Sequence, residues 1–323
     1  DSLRIRAIQL WPNNVYKTYD LVHEDFVTTA FFNSAGDRII STCEKLKQAY
    51  IWNASNGELL FTFEFDNRVT WAKYMFDSVS MQDKYIGITA GDSVYLYNVQ
   101  DNSLHWARKI NSTVNSIEFS KDGEYAAVSS NDGYLTVFEV STGGIKLSVK
   151  TGGFNCRYAQ FHPNKKYEIM TIASSGGIIR FFDINGKKTD SIDVKEGLSN
   201  AQSQYATYNH DGTKIAYTNI TTKKLLVLDV INKNILYKIS HPNEDVIILF
   251  ADFFHTNTTD EILTAAADKT LRRWRVSDGE PTEKDNIFDQ HHNTVNTGVF
   301  SFDGKRVLSA SNDNIAKIWN LDQ

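Results

Sequence analysis

The chain has 323 residues, with 34 Lys and Arg against 39 Asp and Glu and a formal net charge of −5. That balance, and a pI near 5.9, argue against a sequence-independent grip on nucleic acid, which needs clustered cations facing the phosphates. Hydrophobic residues make up 41% of the chain, yet no apolar run approaches about 18 residues, so neither a membrane span nor a signal-peptide-like start is expected.

From the N-terminus, LRIRAIQLWPN (3–13) reads as a β-strand carrying Trp11. The same slot, an aromatic or large apolar residue in a short β-rich run, returns at Trp52, Tyr97, Phe138, Phe182, Leu228, Trp274 and Trp319, at steps of 41, 45, 41, 44, 46, 46 and 45 residues. A second register keeps the same phase at Phe32, Tyr74, Phe119, Phe161, Tyr208, Phe253 and Phe300. Five residues ahead of each stands a smaller one: Val27, Val69, Val114, Cys156, Ser203, Ile248 and Val295. Between the registers, NSAGD (33–37), SKDGE (120–124), NHDGT (209–213) and SFDGK (301–305) each lie between a pair of β-type runs. Asp-Gly there marks a tight turn, because Gly accepts positive φ and Asp bonds the local backbone.

A period in the low forties, with strands and turns in every unit, is the pattern of four-stranded propeller blades. An all-β fold is expected, a single domain over 1–323, since no Pro/Gly/Ser-rich linker interrupts the period. Seven units carry the first-strand register and eight the third-strand register. The simplest ring is therefore a seven-bladed β-propeller of four-stranded antiparallel blades, closed by pairing N- and C-terminal strands. Val15 to Val22 would supply the outer strand of the blade made by 291–322, leaving no open edge at the join. Residues 1–12 are left over, either as an extra arm or as a piece of a longer protein, the latter favoured by a start at Asp1 rather than Met.

No catalytic constellation emerges. The eight His are scattered, with His291-His292 the one cluster, and no Cys spacing resembles a zinc or nucleophile motif, so neither metal nor cofactor is expected. Gly143-Gly144, Gly152-Gly153 and Gly176-Gly177 lie in strand connections instead of opening helices, which reads as turns and not as a phosphate cradle. Cys43 and Cys156 fall in different units, too far apart to bond; two unpaired thiols favour a reducing, intracellular compartment, cytoplasmic or nuclear. The sequons at Asn53, Asn111, Asn219 and Asn257 read as chance matches in an Asn-rich chain. Lys269, Arg272, Arg273 and Arg275 form the one dense cationic patch, expected to pair locally from alternate faces of a strand.

The last unit, HHNTVNTGVFSFDGKRVLSASNDNIAKIWNLD (291–322), closely resembles the WD-repeat family. The resemblance implies a buried hydrogen-bond network of His291, Ser309, Asp313 and Trp319, in which the Asp orients the His. The unit ending at Trp274 keeps Thr264 and Asp268, with His241 as a displaced partner; the unit ending at Phe138 keeps Asp132 without a His; the first keeps His23 and Trp52 without the Asp. The chain therefore reads as a divergent member whose blades rely mainly on apolar packing.

In that family the chain enters each first strand at the mouth of the central channel. The rule places the residues flanking each small slot residue on that face: Phe26 and Thr28, Arg68 and Thr70, Thr113 and Asn115, Asn155 and Arg157, Gln202 and Gln204, Ile247 and Leu249, Thr294 and Asn296. Residues preceding the turn Asp add Asn131, Ala267 and Asn312. Amides, hydroxyls, two Arg and an apolar sector of Phe26, Ile247 and Leu249 suit a peptide held by hydrogen bonds around an anchor, with Phe26, Arg68 and Arg157 as expected hot spots. The expected function is a non-catalytic scaffold that recruits proteins or peptides into a larger assembly. The alternative, motivated by the orphan strand at 3–13, is a sensor or regulatory domain of a larger multidomain enzyme.

Overall fold

The computed structural model describes residues 18–199, 201–242, 245–255, 260–282 and 287–321. Among them the regular structure is all strand, β1–β28 in chain order, and no helix is long and apolar enough to cross a membrane. The strands form seven four-stranded antiparallel sheets. Six take consecutive strands, beginning with Val27–Phe32 (β2), Val69–Asp77 (β6), Val114–Phe119 (β10), Cys156–Phe161 (β14), Ser203–Tyr208 (β18) and Ile248–His255 (β22). These open blades one to six.

The seventh blade unites the two ends of the chain. Val295–Phe300 (β26), Arg306–Ser311 (β27) and Ile315–Asn320 (β28) are completed by Thr18–Val22 (β1), which pairs antiparallel with β28 from Thr18↔Trp319 to Val22↔Ile315. The ring is thus a seven-bladed propeller closed by its terminal strands, as the count of registers requires. Residues 15–17, and the strand at 3–13 with the leftover arm 1–12, lie outside the described residues.

Each small slot residue opens the innermost strand of its blade and has almost no accessible surface, Val27, Val69, Val114, Cys156 and Val295 being fully buried. A larger side chain there would collide with the neighbouring blade across the narrow axis of the ring. The other register falls on third strands and packs blade against blade: Trp106 lies 5.7 Å from Phe138, and Phe288 lies 5.3 Å from Trp319, centroid to centroid. Burial of each such side chain contributes about 1.5–3 kcal/mol. The Asp-Gly turns form as expected: Gly123, at φ 68°, donates its N–H to the Ser120 carbonyl at 2.9 Å, and Asp122 accepts from the Ser120 hydroxyl at 2.7 Å.

Inside the ring a polar chain joins residues near the small slots of successive blades. Lys73 Nζ lies 2.7 Å from both Glu118 carboxylate oxygens, Tyr158 donates its hydroxyl to Glu118 at 2.8 Å, and Tyr205 reaches the Tyr158 hydroxyl at 3.3 Å. Asp252 accepts the Phe300 N–H at 3.0 Å, and burial raises its pKa to about 6 against the lowering pull of that bond and of Lys73.

Two groups therefore drive stability in opposite directions over one pH window. The raised Asp252 keeps its proton longer folded than unfolded, so its contribution falls as pH rises from about 3.8 to 6. Burial instead lowers His23 to about 4, so the unfolded chain takes up that proton first and stability rises as pH climbs from 4 to 6.5. Each swing is worth about 3 kcal/mol, and the two oppose each other. Asp252→Asn, which keeps an acceptor for Phe300, is expected to steepen the rise in stability between pH 4 and 6.5. Urea melts across that window with equal slopes for both proteins would refute the assignment.

Candidate functional site: the mouth of the central channel

The network expected of the last unit is assembled in blade seven. His291 Nδ1 donates to Asp313 at 2.8 Å, its Nε2 shares a hydrogen with Ser309 Oγ at 2.6 Å, and Trp319 Nε1 donates to the same Ser309 oxygen at 2.9 Å. Burial raises the Asp313 pKa, but the bonds from His291 and from the His292 N–H outweigh it and leave Asp313 at about 2. Blade six repeats the arrangement in full. The displaced His241 lies 2.8 Å from both Asp268 and Thr264, and Trp274 donates to Thr264 at 2.9 Å. Blade one does without the Asp: His23 Nδ1 donates to the Leu21 carbonyl at 2.8 Å, which leaves Nε2 to accept from Ser41, itself the acceptor for Trp52 Nε1.

These networks hold the blades; the channel mouth is shaped by something else. In every blade the first and second strands lose register just after the small slot residue, between Val27 and Thr29, Val69 and Trp71, Val114 and Ser116, Cys156 and Tyr158, Ser203 and Ala206, Ile248 and Phe250, Val295 and Thr297. A β-bulge at that point leaves a residue unpaired and re-aims its side chain. The residues so released, Thr28, Thr70, Asn115, Arg157, Gln204, Leu249 and Asn296, all line one cavity of about 230 Å³. Its floor is aromatic, from Trp71, Tyr158, Tyr205 and Phe250, with Tyr205 and Phe250 stacked at 4.0 Å.

Of the expected rim residues the structure brings Thr28, Thr70, Asn115, Arg157, Gln204, Leu249 and Asn296 into this cavity. Two more touch its walls, since Asn115 donates to Asn155 at 2.9 Å and Asn296 donates to Asn312 at 2.6 Å. Others do not line it. Phe26, 41% exposed, lies beneath the Lys45 ammonium, 4.2 Å from its ring centroid, and Arg68 pairs with Glu44 at 3.1 Å. Asn131, Gln202 and Ile247 are engaged there through their backbones: Asn131 N–H donates to the Thr113 carbonyl, Gln202 N–H to the Thr221 hydroxyl, and the Ile247 carbonyl accepts from Ala267. Phe26 belongs to blade one and Ile247 and Leu249 to blade six, with blade seven between them, so the three do not make one continuous sector.

Sequence reasoning missed Phe154 and Glu44. Phe154 is 88% exposed beside Asn155, directly after Gly152-Gly153, and an aromatic in a turn two places before a small slot was the available signal. Glu44, on the cavity wall, has no counterpart in the repeat pattern.

The other groups considered in the sequence are in structural roles. Cys43 and Cys156 are free and buried in blades one and four, and burial pushes both thiols up to about 12. Arg273 pairs with Glu261 at 2.6 Å and Arg275 with Asp278 at 3.0 Å, the local pairing expected of that patch. Among the described residues no group of three His, Cys, Asp or Glu is placed to hold a metal. A second hollow, of about 300 Å³, lies at turns 120–122 and 163–167, where Lys165 pairs with Glu168 and Lys166 covers the Tyr167 ring.

A closed ring of seven antiparallel blades defines a seven-bladed β-propeller. Residues 105–139 and 283–320 match the family described as WD domain, G-beta repeat. The second match contains the complete His291–Ser309–Asp313–Trp319 network; the first ends at Glu139, next to the third-strand Phe138, in a blade with Asp132 and no His. Propellers of this kind are commonly non-catalytic platforms for protein interaction.

Proposed function

We propose that this protein is a non-catalytic scaffold that recruits protein or peptide partners, within an intracellular assembly, through its channel-mouth face. The observation that carries this reading is the convergence of seven bulge-released side chains, one per blade, on a single cavity. A closed ring fixes these groups relative to one another, so a partner is met by a preorganised surface at little ordering cost. Phe26 and Arg68, each just before a slot residue, and the exposed Phe154 beside Asn155 are of the aromatic and Arg types in which interface energy concentrates.

The test is affinity capture from the native cell lysate with mass spectrometry, comparing the wild-type chain with a folded Phe26→Ala, Arg68→Glu, Arg157→Glu variant. Partners lost only from the variant are the expected result. Retention of the same set would exclude this face as the recruiting surface.

A further inference from the structure

The side chains at the cavity differ in what they have left to offer. Asn115 donates to Asn155 and to the Cys156 carbonyl, Asn296 to Asn312 and to the Val27 carbonyl, and Thr70 to the Val114 carbonyl, each stitching one blade to the next. Three side chains with polar groups make no hydrogen bond or ion pair among the described residues: the Arg157 guanidinium and the Gln204 amide, on adjacent blades four and five, and the buried Trp71 indole N–H on the floor. Arg157 is the single cation on the cavity wall, and enclosure there lowers its pKa against the raising pull of the Glu44 charge. The one carboxylate on that wall, Glu44, is engaged by Arg68 at 3.1 Å. The Arg157 guanidinium is only partly buried, and its planar fork of donors, not spent on hydrogen bonds within the chain, matches a carboxylate in bidentate geometry.

We propose that the channel mouth is a carboxylate subsite, in which Arg157 and Gln204 hold the carboxylate of a bound peptide, from an Asp or Glu side chain or from the C-terminus. The proposal rests on the peptide-recruiting reading above and names the chemistry that is recognised. Arg157 is the one cation on this wall and Glu44 offsets part of its field, so the subsite is matched to an anion of single charge and lacks the several cations that a phosphate dianion calls for. The volume of about 230 Å³ admits a side chain or chain end and not a folded surface, and the aromatic floor receives its apolar stem.

The test uses fluorescent hexapeptide pools, randomised except at one centre: Glu with an amidated C-terminus, Gln with an amidated C-terminus, Gln with a free C-terminus, and phosphoserine with an amidated C-terminus. Polarisation is expected to show the Glu pool or the free-C-terminus pool bound at least about tenfold tighter than the Gln amide pool. The tighter of the two identifies the source of the carboxylate. Arg157→Gln is expected to abolish the difference without moving the melting temperature. Preference for phosphoserine, or a carboxylate preference that survives Arg157→Gln, overturns the proposal. Equal binding of all pools that is lost on Leu249→Asp also overturns it, while leaving the mouth a peptide-binding face. No binding of any pool overturns the subsite, and the recruiting role is then decided by the lysate capture alone.

Discussion

Trp319→Ala is expected to destabilise the protein by about 3–5 kcal/mol, measured by urea denaturation. Trp319 is fully buried. Its truncation removes packing against Phe288 and leaves Ser309 Oγ without the indole donor, beside a His291 whose orientation depends on the same oxygen. The residue also sits on the rung that closes the ring, opposite Thr18. The loss therefore combines a cavity with a weakened seam, and collapse of the site is resisted because both flanking strands are held in register. Arg157→Ala, at the solvent-connected mouth, is the control and should leave the midpoint nearly unchanged. Comparable losses in the two variants would mean that mouth and seam have been confused.

Lys73→Met should have the next largest effect, a loss of about 3 kcal/mol. Glu118 has a side chain only 6% exposed, and Lys73, at 30%, is its cationic partner. Removing the ammonium strands a carboxylate inside the ring with only the Tyr158 hydroxyl to solvate it. The carboxylate, and not the missing lysine contacts, is the source of the loss. Adding Glu118→Gln, whose amide oxygen still accepts from Tyr158, should accordingly recover most of the stability. A double variant as unstable as Lys73→Met alone would refute that attribution.

The ring itself was legible because its constraints recur in every blade. A small residue must open each inner strand where blades crowd the axis, and a large one must fill each third strand, so Val27 and Trp52 have counterparts around the circle. Closure followed from arithmetic on those registers. The network of blade seven was visible because its four members stand in one unit at family spacing. In blade one, by contrast, the group that orients His23 is the carbonyl of Leu21, and a backbone acceptor leaves no mark in a sequence.

The mouth was half legible for a different reason. The rule of flanking residues named the right face, but strand alternation treats the residue before and the residue after the slot alike. The bulge breaks that symmetry: it turns Arg157 and Gln204 into the cavity and leaves Arg68 and Phe26 outside. Bulges arise from pairing between strands and have no composition of their own here, since Thr28, Arg157 and Leu249 share nothing but position. The polar chain of Lys73, Glu118 and Asp252 was hidden likewise, because residues on separate blades become neighbours only when the circle closes.

The seam between the terminal strands also determines how the protein responds to tension. Because Thr18 pairs with Trp319 and Val22 with Ile315, the chain enters and leaves at the same end of that antiparallel pair. A pull applied between the flanking segments loads the Thr18–Trp319 rung first and the others one after another, as a zipper opens, instead of sharing the load across all rungs as shear would. The ring is closed by that pair, and along this one direction it is built to yield at low force.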